Sequence, residues 1–387
     1  MIDDKSLETL MDRALALAER GGGGTAPNPM VGCVIATSEG IVLGEGFHRR
    51  AGENHAEVEA LAAVRDRGGD PRGSVAIVTL EPCAHQGKTP PCVDALVAAG
   101  VGEVVFGAED PHTGRGGAQR LREAGIQVRG GVRARDAELL IEPWLHFVRT
   151  GRPLMHLKSA ITLNGRLTRG AEGPRWITGE EARRAAHRLR RRHAAIVIGI
   201  GTALADDPLL TVRDWPAPRE LAGDDAGPPW PPVQPLRVVL DSELRLPVES
   251  RLATSVSEGP VLVLCAERAD PDRESALAAR GVEVERVGSG AGRLDLDAVA
   301  AALAQRGVTG ALVEPGPALA AGLLAAGLAD RWTVFVAPVW EPSDDALPLV
   351  LANGTPVELE DPVWESHGPD AAVSGLVLGR RSAAAAG

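Results

Sequence analysis

Apolar residues recur at helical spacing from Leu7 to Arg20, and the pattern stops at the glycine run Gly21-Gly22-Gly23-Gly24. Short apolar runs at Val31–Ile35 and Ile41–Gly44 predict strands, and Ala56–Arg67 predicts a helix. Val75–Leu80 reads as a buried strand feeding Pro82-Cys83; a helix over Val93–Ala99 ends at Gly100, and a further strand follows over Glu103–Gly107. This alternation predicts a layered α/β sheet with helices packed against it.

Past Gly151-Arg152-Pro153 the rhythm restarts. Leu154–Ala160 predicts a strand, Thr178–His193 a helix, Ala194–Ile200 a strand, and Arg237–Leu240 and Val261–Cys265 two more. Thr178 and Glu181 have the spacing of a capping box. Asp214–Pro235, rich in proline, glycine and acidic residues, predicts a long surface loop inside this second unit. A strand over Gly310–Glu314 leads into a helix starting near Gly316, and no internal repeat is evident.

A chain of 387 residues exceeds what one core serves, so two domains are expected. Hydrophobic residues at 44% and charged residues at 24% are those of a globular protein. A formal charge of −11 argues against a nucleic-acid binder, which must neutralise phosphates, and favours a small substrate. Four cysteines form no disulfide framework, and neither a signal sequence nor an apolar run of membrane-spanning length is present. A cytoplasmic protein without membrane partners is expected.

Two separated segments carry the first chemistry. Asn54-His55-Ala56-Glu57 and Thr79-Leu80-Glu81-Pro82-Cys83, with Pro90-Pro91-Cys92 beyond, offer one imidazole and two thiols. His55, Cys83 and Cys92 can hold Zn²⁺ with the fourth tetrahedral position left for water, and Glu57 is placed to move protons without binding the metal. The spacing is a variant of the base-deaminase signature, with eight residues between the cysteines instead of two. The loop from Ala84 to Pro91 then forms one wall of a substrate pocket. His85 is the residue that would close a purely structural site with four protein ligands; the open site is the favoured reading. Both segments enter helices, whose N-termini lower thiol pKa values and suit Cys83 and Cys92 as ligands.

No dinucleotide fingerprint is present: Gly21–Gly24 follows a helix, and Gly199-Ile200-Gly201 lacks its third glycine. Arg183, Arg184, Arg188, Arg190, Arg191 and Arg192 crowd one helix, where they are either solvated and favoured by the helix dipole or present a fork to a phosphate.

Asn28-Pro29-Met30-Val31-Gly32-Cys33-Val34-Ile35, His55-Ala56-Glu57 and the two cysteine segments resemble the deaminase half of the bifunctional riboflavin-biosynthesis deaminase/reductases. Trp176-Ile177-Thr178, Gly201-Thr202 through Ala205-Asp206-Asp207-Pro208, and Glu314-Pro315-Gly316-Pro317 resemble their reductase half, in family order over nearly the whole chain. The resemblance implies an N-terminal cytidine-deaminase-like three-layer α/β domain over residues 1–149 and a C-terminal dihydrofolate-reductase-like α/β domain over 150–387. It implies hydrolytic deamination of 2,5-diamino-6-(5-phosphoribosylamino)pyrimidin-4(3H)-one, with Glu57 as proton shuttle, then NADPH reduction of the ribosyl moiety to ribityl. Zn²⁺ and NADPH are the implied cofactors, a phosphorylated pyrimidine the partner, and a homo-oligomer, dimer or tetramer, the expected assembly.

By the same resemblance Asn28, His48, His85 and Lys88 contact the deaminase substrate, with Lys88 on its phosphate. Arg190, Arg213, Leu210 and Glu314 bind the reductase substrate, and Lys158 is a pocket cation. Ala160, Trp176, Thr202, Asp206 and Ser242 line the NADPH site, and the turn running through Gly316, Pro317, Ala318, Leu319, Ala320, Ala321 and Gly322 presents backbone N–H groups to its diphosphate. Three departures stand out. Thr162-Leu163-Asn164-Gly165 replaces Ser-Leu-Asp-Gly, Pro174 stands where a hydroxyl is usual, and Asp110-Pro111-His112-Thr113 is shorter than the usual Asp-Pro-Asn-Pro loop. Two other classes compete with this reading: a deaminase of a free or nucleic-acid base with a structural C-terminal unit, and a zinc-stabilised binding module.

Overall fold

The computed structural model describes residues 2–87, 90–111, 116–168, 176–213, 233–290, 292–349 and 356–378. Among them the chain divides into two compact units, one ending at Thr150 and joined by Val233, the other comprising 151–213 and the residues from Gln234 onward.

The first unit is built on a five-stranded sheet. Its strands are β1 (Gly32–Ala36), β2 (Val42–Phe47), β3 (Val75–Leu80), β4 (Glu103–Ala108) and β5 (Gln127–Gly130), in the order β2-β1-β3-β4-β5. β1 runs antiparallel to β2 and β3, whereas β3, β4 and β5 are parallel. The central strands are apolar on both faces because both are covered. Val34 and Ala36 of β1, with Val75 and Ile77 of β3, pack on Leu7, Leu10, Met11, Ala14 and Leu17 of α1 (Asp4–Glu19). The alternate residues Cys33, Ile35, Ala76 and Val78 meet Ala60, Leu61 and Val64 of α2 (Ala56–Asp66) and Val93 and Leu96 of α3 (Cys92–Ala99). The period of two thus sorts one sequence run into two cores, giving three layers. Gly46 lets α2 lie on β2: a Cβ there would stand 2.4 Å from Ala60 N and 2.5 Å from Ala56 O. After β4 come α4 (Gly117–Glu123), α5 (Ala134–Leu140) and α6 (Glu142–Thr150). The strand and helix runs expected up to β4 are present with ends shifted by at most three residues.

The second unit carries a nine-stranded sheet. Its strands are β6 (Leu154–Ile161), β7 (Ala195–Gly199), β8 (Leu236–Leu240), β9 (Val261–Ala266), β10 (Glu283–Val287), β13 (Gly310–Val313), β14 (Arg331–Val336), β15 (Leu359–His367) and β16 (Asp370–Val377). β11 (Ser289–Gly290) and β12 (Arg293–Leu294) form a separate small hairpin. The order is β10-β9-β8-β7-β13-β6-β14-β16-β15, parallel from β10 to β14 and antiparallel beyond. Its helices are α7 (Glu180–Arg191), α8 (Ile200–Asp206), α9 (Arg251–Thr254), α10 (Pro271–Ala278), α11 (Leu296–Gln305) and α12 (Pro317–Ala325). Again two cores form on opposite faces. Val197, Val238 and Leu262 pack with Val299 and Leu303 of α11, while Ile196, Ile198, Val239 and Val263 pack with Ala203 of α8 and Leu277 of α10.

Two local expectations are corrected. Ile200 does not extend β7 but begins α8. The Thr178–Glu181 capping box does not form: the N-cap of α7 is Gly179, without a side-chain cap. The Gly179 N–H instead donates to Asp370 Oδ2 at 2.7 Å, and the Thr178 carbonyl accepts from Arg183 Nη1 at 2.7 Å. A distant carboxylate thus satisfies the helix end. Most of the expected Asp214–Pro235 loop lies outside the described residues, and Val233 to Pro235 belong to no helix or strand.

A buried histidine pair ties α7 to the sheet. His193 Nδ1 donates to the Leu189 carbonyl at 2.7 Å, which leaves its Nε2 to accept from His156 Nδ1 at 3.2 Å; His156 Nε2 then accepts from Thr333 Oγ1 at 2.8 Å. Both rings are neutral, because burial holds His193 down to about 4 and His156 well below its usual value. An unfolded histidine titrates near 6.5, so the unfolded chain takes up protons first. Stability contributed by His193 is complete above about pH 6.5 and is lost as the pH falls towards 4, on the order of 3 kcal/mol. Melting temperatures measured from pH 7 to pH 4 are expected to fall more steeply in the wild type than in His193→Gln; equal slopes would refute the assignment.

Candidate active sites

Helix starts and strand ends assemble the first site. His55 is the N-cap of α2, with an extended backbone, and Glu57 lies in the first turn of that helix, 3% exposed. Cys83 follows β3, and Cys92 is the first residue of α3. His55 Nδ1 stands 3.7 Å from Cys83 Sγ and 3.3 Å from Cys92 Sγ, and the three ligand atoms lie within 4.8 Å of one another. One nitrogen and two sulfurs at this spacing suit a tetrahedral Zn²⁺ with one position left open. His85 is exposed and lines the cavity but is not among these ligand atoms, so the closed four-ligand alternative does not form.

The Cys92 N–H also donates to Cys83 Sγ at 3.4 Å. The hydrogen bond from Cys92 holds Cys83 down to about 4, and the same bond, with burial, pushes Cys92 up. Adjacent sulfurs cannot both be ionised cheaply without a cation between them. Burial raises the Glu57 carboxyl above its ordinary value, against the attraction of His55.

A cavity of about 400 Å³ opens over these residues. Asn28 and His48 line it as a fixed pair: His48 Nδ1 donates to the Asn54 carbonyl at 3.0 Å, so its Nε2 accepts from Asn28 Nδ2 at 3.1 Å. Burial lowers the His48 pKa, which keeps the ring neutral. Trp144, Phe147 and Val148 of α6 supply an apolar wall that no motif announced. Glu81 was also missed as a functional group. Its buried carboxylate accepts from Ala118 N at 2.8 Å and Asp110 N at 3.3 Å, fixing the start of α4 beside Pro82-Cys83. Lys88, and His112 and Thr113 of the shortened loop, lie outside the described residues.

The second site gathers at the carboxyl ends of parallel strands. β7, β8, β9 and β10 proceed outward to one side, and β13 returns between β7 and β6, so the chain reverses direction across the sheet here. Open α/β sheets bind ligands at such a switch. Lys158 of β6 and Glu314, just past β13, sit on neighbouring strands. Arg190 of α7 forks onto Glu314, with Nε–Oε1 at 2.7 Å and Nη2–Oε2 at 3.0 Å. Burial pushes the Glu314 carboxyl up, but Arg190 and Lys158 outweigh it and hold it at about 2. Burial lowers the Lys158 ammonium, whose Nζ lies 5.8 Å from the Phe335 ring centroid. In the arginine-rich helix Arg190 makes this fork, whereas Arg184 pairs with Glu180 of its own helix.

Leu210 and Arg213 join this cluster, since Arg190 Nη1 donates to the Thr211 carbonyl at 3.2 Å and Arg213 N to His187 Nδ1 at 3.1 Å. Gly316 is the N-cap of α12, where a Cβ would stand 3.5 Å from Thr202 Oγ1 of α8. Leu319 of the same helix approaches Gly199, 3.9 Å from where a Cβ would stand. Ala160 lies near the carboxyl end of β6, Asp206 is the last residue of α8 and Ser242 lies just beyond β8, while Trp176 is 56% exposed with the Arg183 guanidinium 5.5 Å from its ring centroid. Asn164 ties its turn to the Glu341 backbone, where Nδ2 donates to the Glu341 carbonyl at 2.7 Å while Oδ1 accepts from Glu341 N at 3.0 Å. An aspartate could not donate to that carbonyl. Pro174 lies outside the described residues.

The family model "RibD C-terminal domain" matches residues 153–371. The chain belongs to the RibD family. Its N-terminal part matches the "cytidine and deoxycytidylate deaminase zinc-binding region" over residues 4–108. The riboflavin biosynthesis protein RibD of Escherichia coli is 42% identical over 334 residues, covering 86% of this chain and 87% of that one. The RibD of Aquifex aeolicus is 36% identical over 331 residues, 85% and 86% of the two chains. Among solved structures, the deaminase/reductase of Thermotoga maritima superposes with a TM-score of 0.78 at 30% identity, over 97% of this chain and 99% of that chain. Acinetobacter baumannii RibD gives 0.76 at 33% identity with the same coverage. The chain is therefore a bifunctional enzyme of riboflavin biosynthesis, a hydrolytic deaminase joined to a reductase, and its two units carry the two α/β folds expected. Among its described residues no helix is long and apolar enough to cross a membrane.

Proposed function

We propose that the first site deaminates 2,5-diamino-6-(5-phosphoribosylamino)pyrimidin-4(3H)-one and that the second reduces the ribosyl group of the product with NADPH. The observation that carries the first assignment is the buried Glu57 beside three convergent zinc-ligand atoms, within a cavity large enough for a pyrimidine. His55, Cys83 and Cys92 would hold Zn²⁺, which when bound would act as a Lewis acid and make water nucleophilic at neutral pH. Glu57 would carry one proton from that water to the ring nitrogen, and then the proton of the newly formed hydroxyl to the amino group, which leaves as ammonia while the carbonyl forms. Asn28 and the neutral His48 orient the pyrimidine, His85 contacts its phosphoribosyl end, and Lys88 is assigned to the phosphate by the family motif alone.

In the second site Arg190, Arg213, Lys158, Glu314 and the backbone of Leu210 hold the phosphorylated sugar. Trp176, Ala160, Thr202, Asp206 and Ser242 flank NADPH, whose diphosphate suits the first turn of α12, a helix end with no side-chain cap. When bound, NADPH would supply the hydride, and these residues would orient the sugar carbonyl towards it. The purified protein is expected to contain one zinc per chain by elemental analysis, to release ammonia from the diamino substrate without NADPH, and to oxidise NADPH only once that product is present. Asp206→Ala should slow NADPH oxidation at least tenfold, roughly 1.4 kcal/mol, with ammonia release unchanged. Absence of substrate-dependent NADPH oxidation in the wild type would refute the reductase assignment.

A further inference from the structure

The chain from Asp207 to Arg213 follows an unfavourable path. Asp207 (φ 38°) and Leu210 (φ 54°) both occupy the left-handed region. For leucine this is an outlier costing about 1–3 kcal/mol, and it persists only where the surroundings over-determine it. Here they do. Val212 is bracketed by the Gln234 amide, its N–H donating to Oε1 at 2.7 Å and its carbonyl accepting from Nε2 at 3.1 Å. The Leu209 carbonyl accepts from Arg237 Nη1 at 3.1 Å, and Asp207 Oδ1 accepts from Arg251 N at 2.8 Å.

Arg237 is the unusual member. It is fully buried on β8 and makes no ion pair among the described residues; oxygens of two segments meet its guanidinium, Leu209 O from one and Ser255 Oγ and O with Gly259 O from the turn before β9. Its Nε has no hydrogen-bond partner among the described residues. Burying an unpaired charge is costly, and an apolar side chain of similar volume often serves a core at least as well. The feature that distinguishes Arg237 from such a side chain is its grip on these carbonyls, one of which immediately precedes the strained Leu210.

We infer that Arg237 and Gln234 are positioning residues of the reductase, holding the 209–213 strap in the shape that presents the Leu210 backbone and the Arg213 guanidinium to the phosphorylated substrate. This rests on the reading of Leu210 and Arg213 as substrate-binding residues. The test compares Gln234→Leu, Arg237→Met and Arg237→Lys in the full-length enzyme, measuring KM for the deaminated pyrimidine, KM for NADPH, kcat, ammonia release and melting temperature. Gln234→Leu and Arg237→Met are expected to raise KM for the pyrimidine at least tenfold, with KM for NADPH and ammonia release within twofold of wild type. Arg237→Lys, which keeps a donor, should lie between. A lowered melting temperature with KM for the pyrimidine unchanged, or equal rises in both KM values, would overturn the inference. Should Arg237→Met not fold, Gln234→Leu decides, since that side chain is only half-buried. Arg213→Ala separates the two claims. If it leaves KM for the pyrimidine unchanged, the substrate-site reading and this inference fall together. If it raises KM while Gln234→Leu does not, only the inference falls.

Discussion

Glu57→Gln is expected to lower ammonia release by 10²–10⁴-fold, the range for loss of a positioned general acid–base, while zinc content stays at the wild-type level. The carboxylate is buried at the first turn of α2, two residues from the His55 ligand, and the three ligand atoms converge without it. Glutamine preserves its volume and hydrogen-bonding reach but cannot carry the proton. NADPH oxidation with already deaminated substrate should be unaffected, because Lys158, Arg190 and Glu314 all belong to the second unit. Elemental analysis, ammonia release and NADPH oxidation on one preparation check all three. Near-normal deamination by the variant would remove Glu57 from the proton path, and loss of zinc would make it a ligand or a structural support instead.

Arg190→Ala should combine loss of reductase activity with loss of stability. The substitution strips a carboxylate, 17% exposed, of its bidentate partner, and breaking a buried pair by removing one member typically costs about 3–5 kcal/mol. Lys158 remains to soften that penalty, so the lower end is expected. NADPH oxidation should fall at least a hundredfold, roughly 2.7 kcal/mol, because the same guanidinium also fixes Thr211 in the strap. Arg190→Lys keeps the charge but loses the fork, and should recover part of the stability and little of the activity. The pair also sets acid tolerance. With its carboxyl held at about 2, Glu314 contributes stability that is complete above its unfolded value near 4.5 and is lost as the pH falls towards 2. Arg190→Ala should therefore show a weaker dependence on pH across that window in thermal melts. Wild-type NADPH oxidation in the alanine variant would exclude Arg190 from the site.

Much of this was legible in the chain because chemistry and periodicity are local properties. His55, Glu57, Cys83 and Cys92 suggest a zinc-deaminase constellation by residue type and spacing alone, and short apolar runs through β1 and β3 announce strands buried on both faces. The family motifs placed Lys158, Arg190 and Glu314 among the reductase candidates, and the fold brings these three together. Other features had no local signature. β15 is exposed at nearly every position, carries Asp361 and Pro362, and exists as a strand only because β16 offers it a ladder. The Thr178–Glu181 spacing suggested a cap, yet Gly179 took the position because Asp370, far along the chain, satisfies its N–H. Tertiary contact likewise decided that Trp144 and Phe147 wall the deaminase cavity, that Glu81 anchors α4 beside the metal ligands, and that a buried Arg237 grips the strap at Leu209. Residue type and spacing determined which chemistry this protein carries. Which distant groups hold that chemistry in place was settled by the fold, because a buried polar atom takes whatever partner three-dimensional packing delivers, irrespective of its distance along the chain.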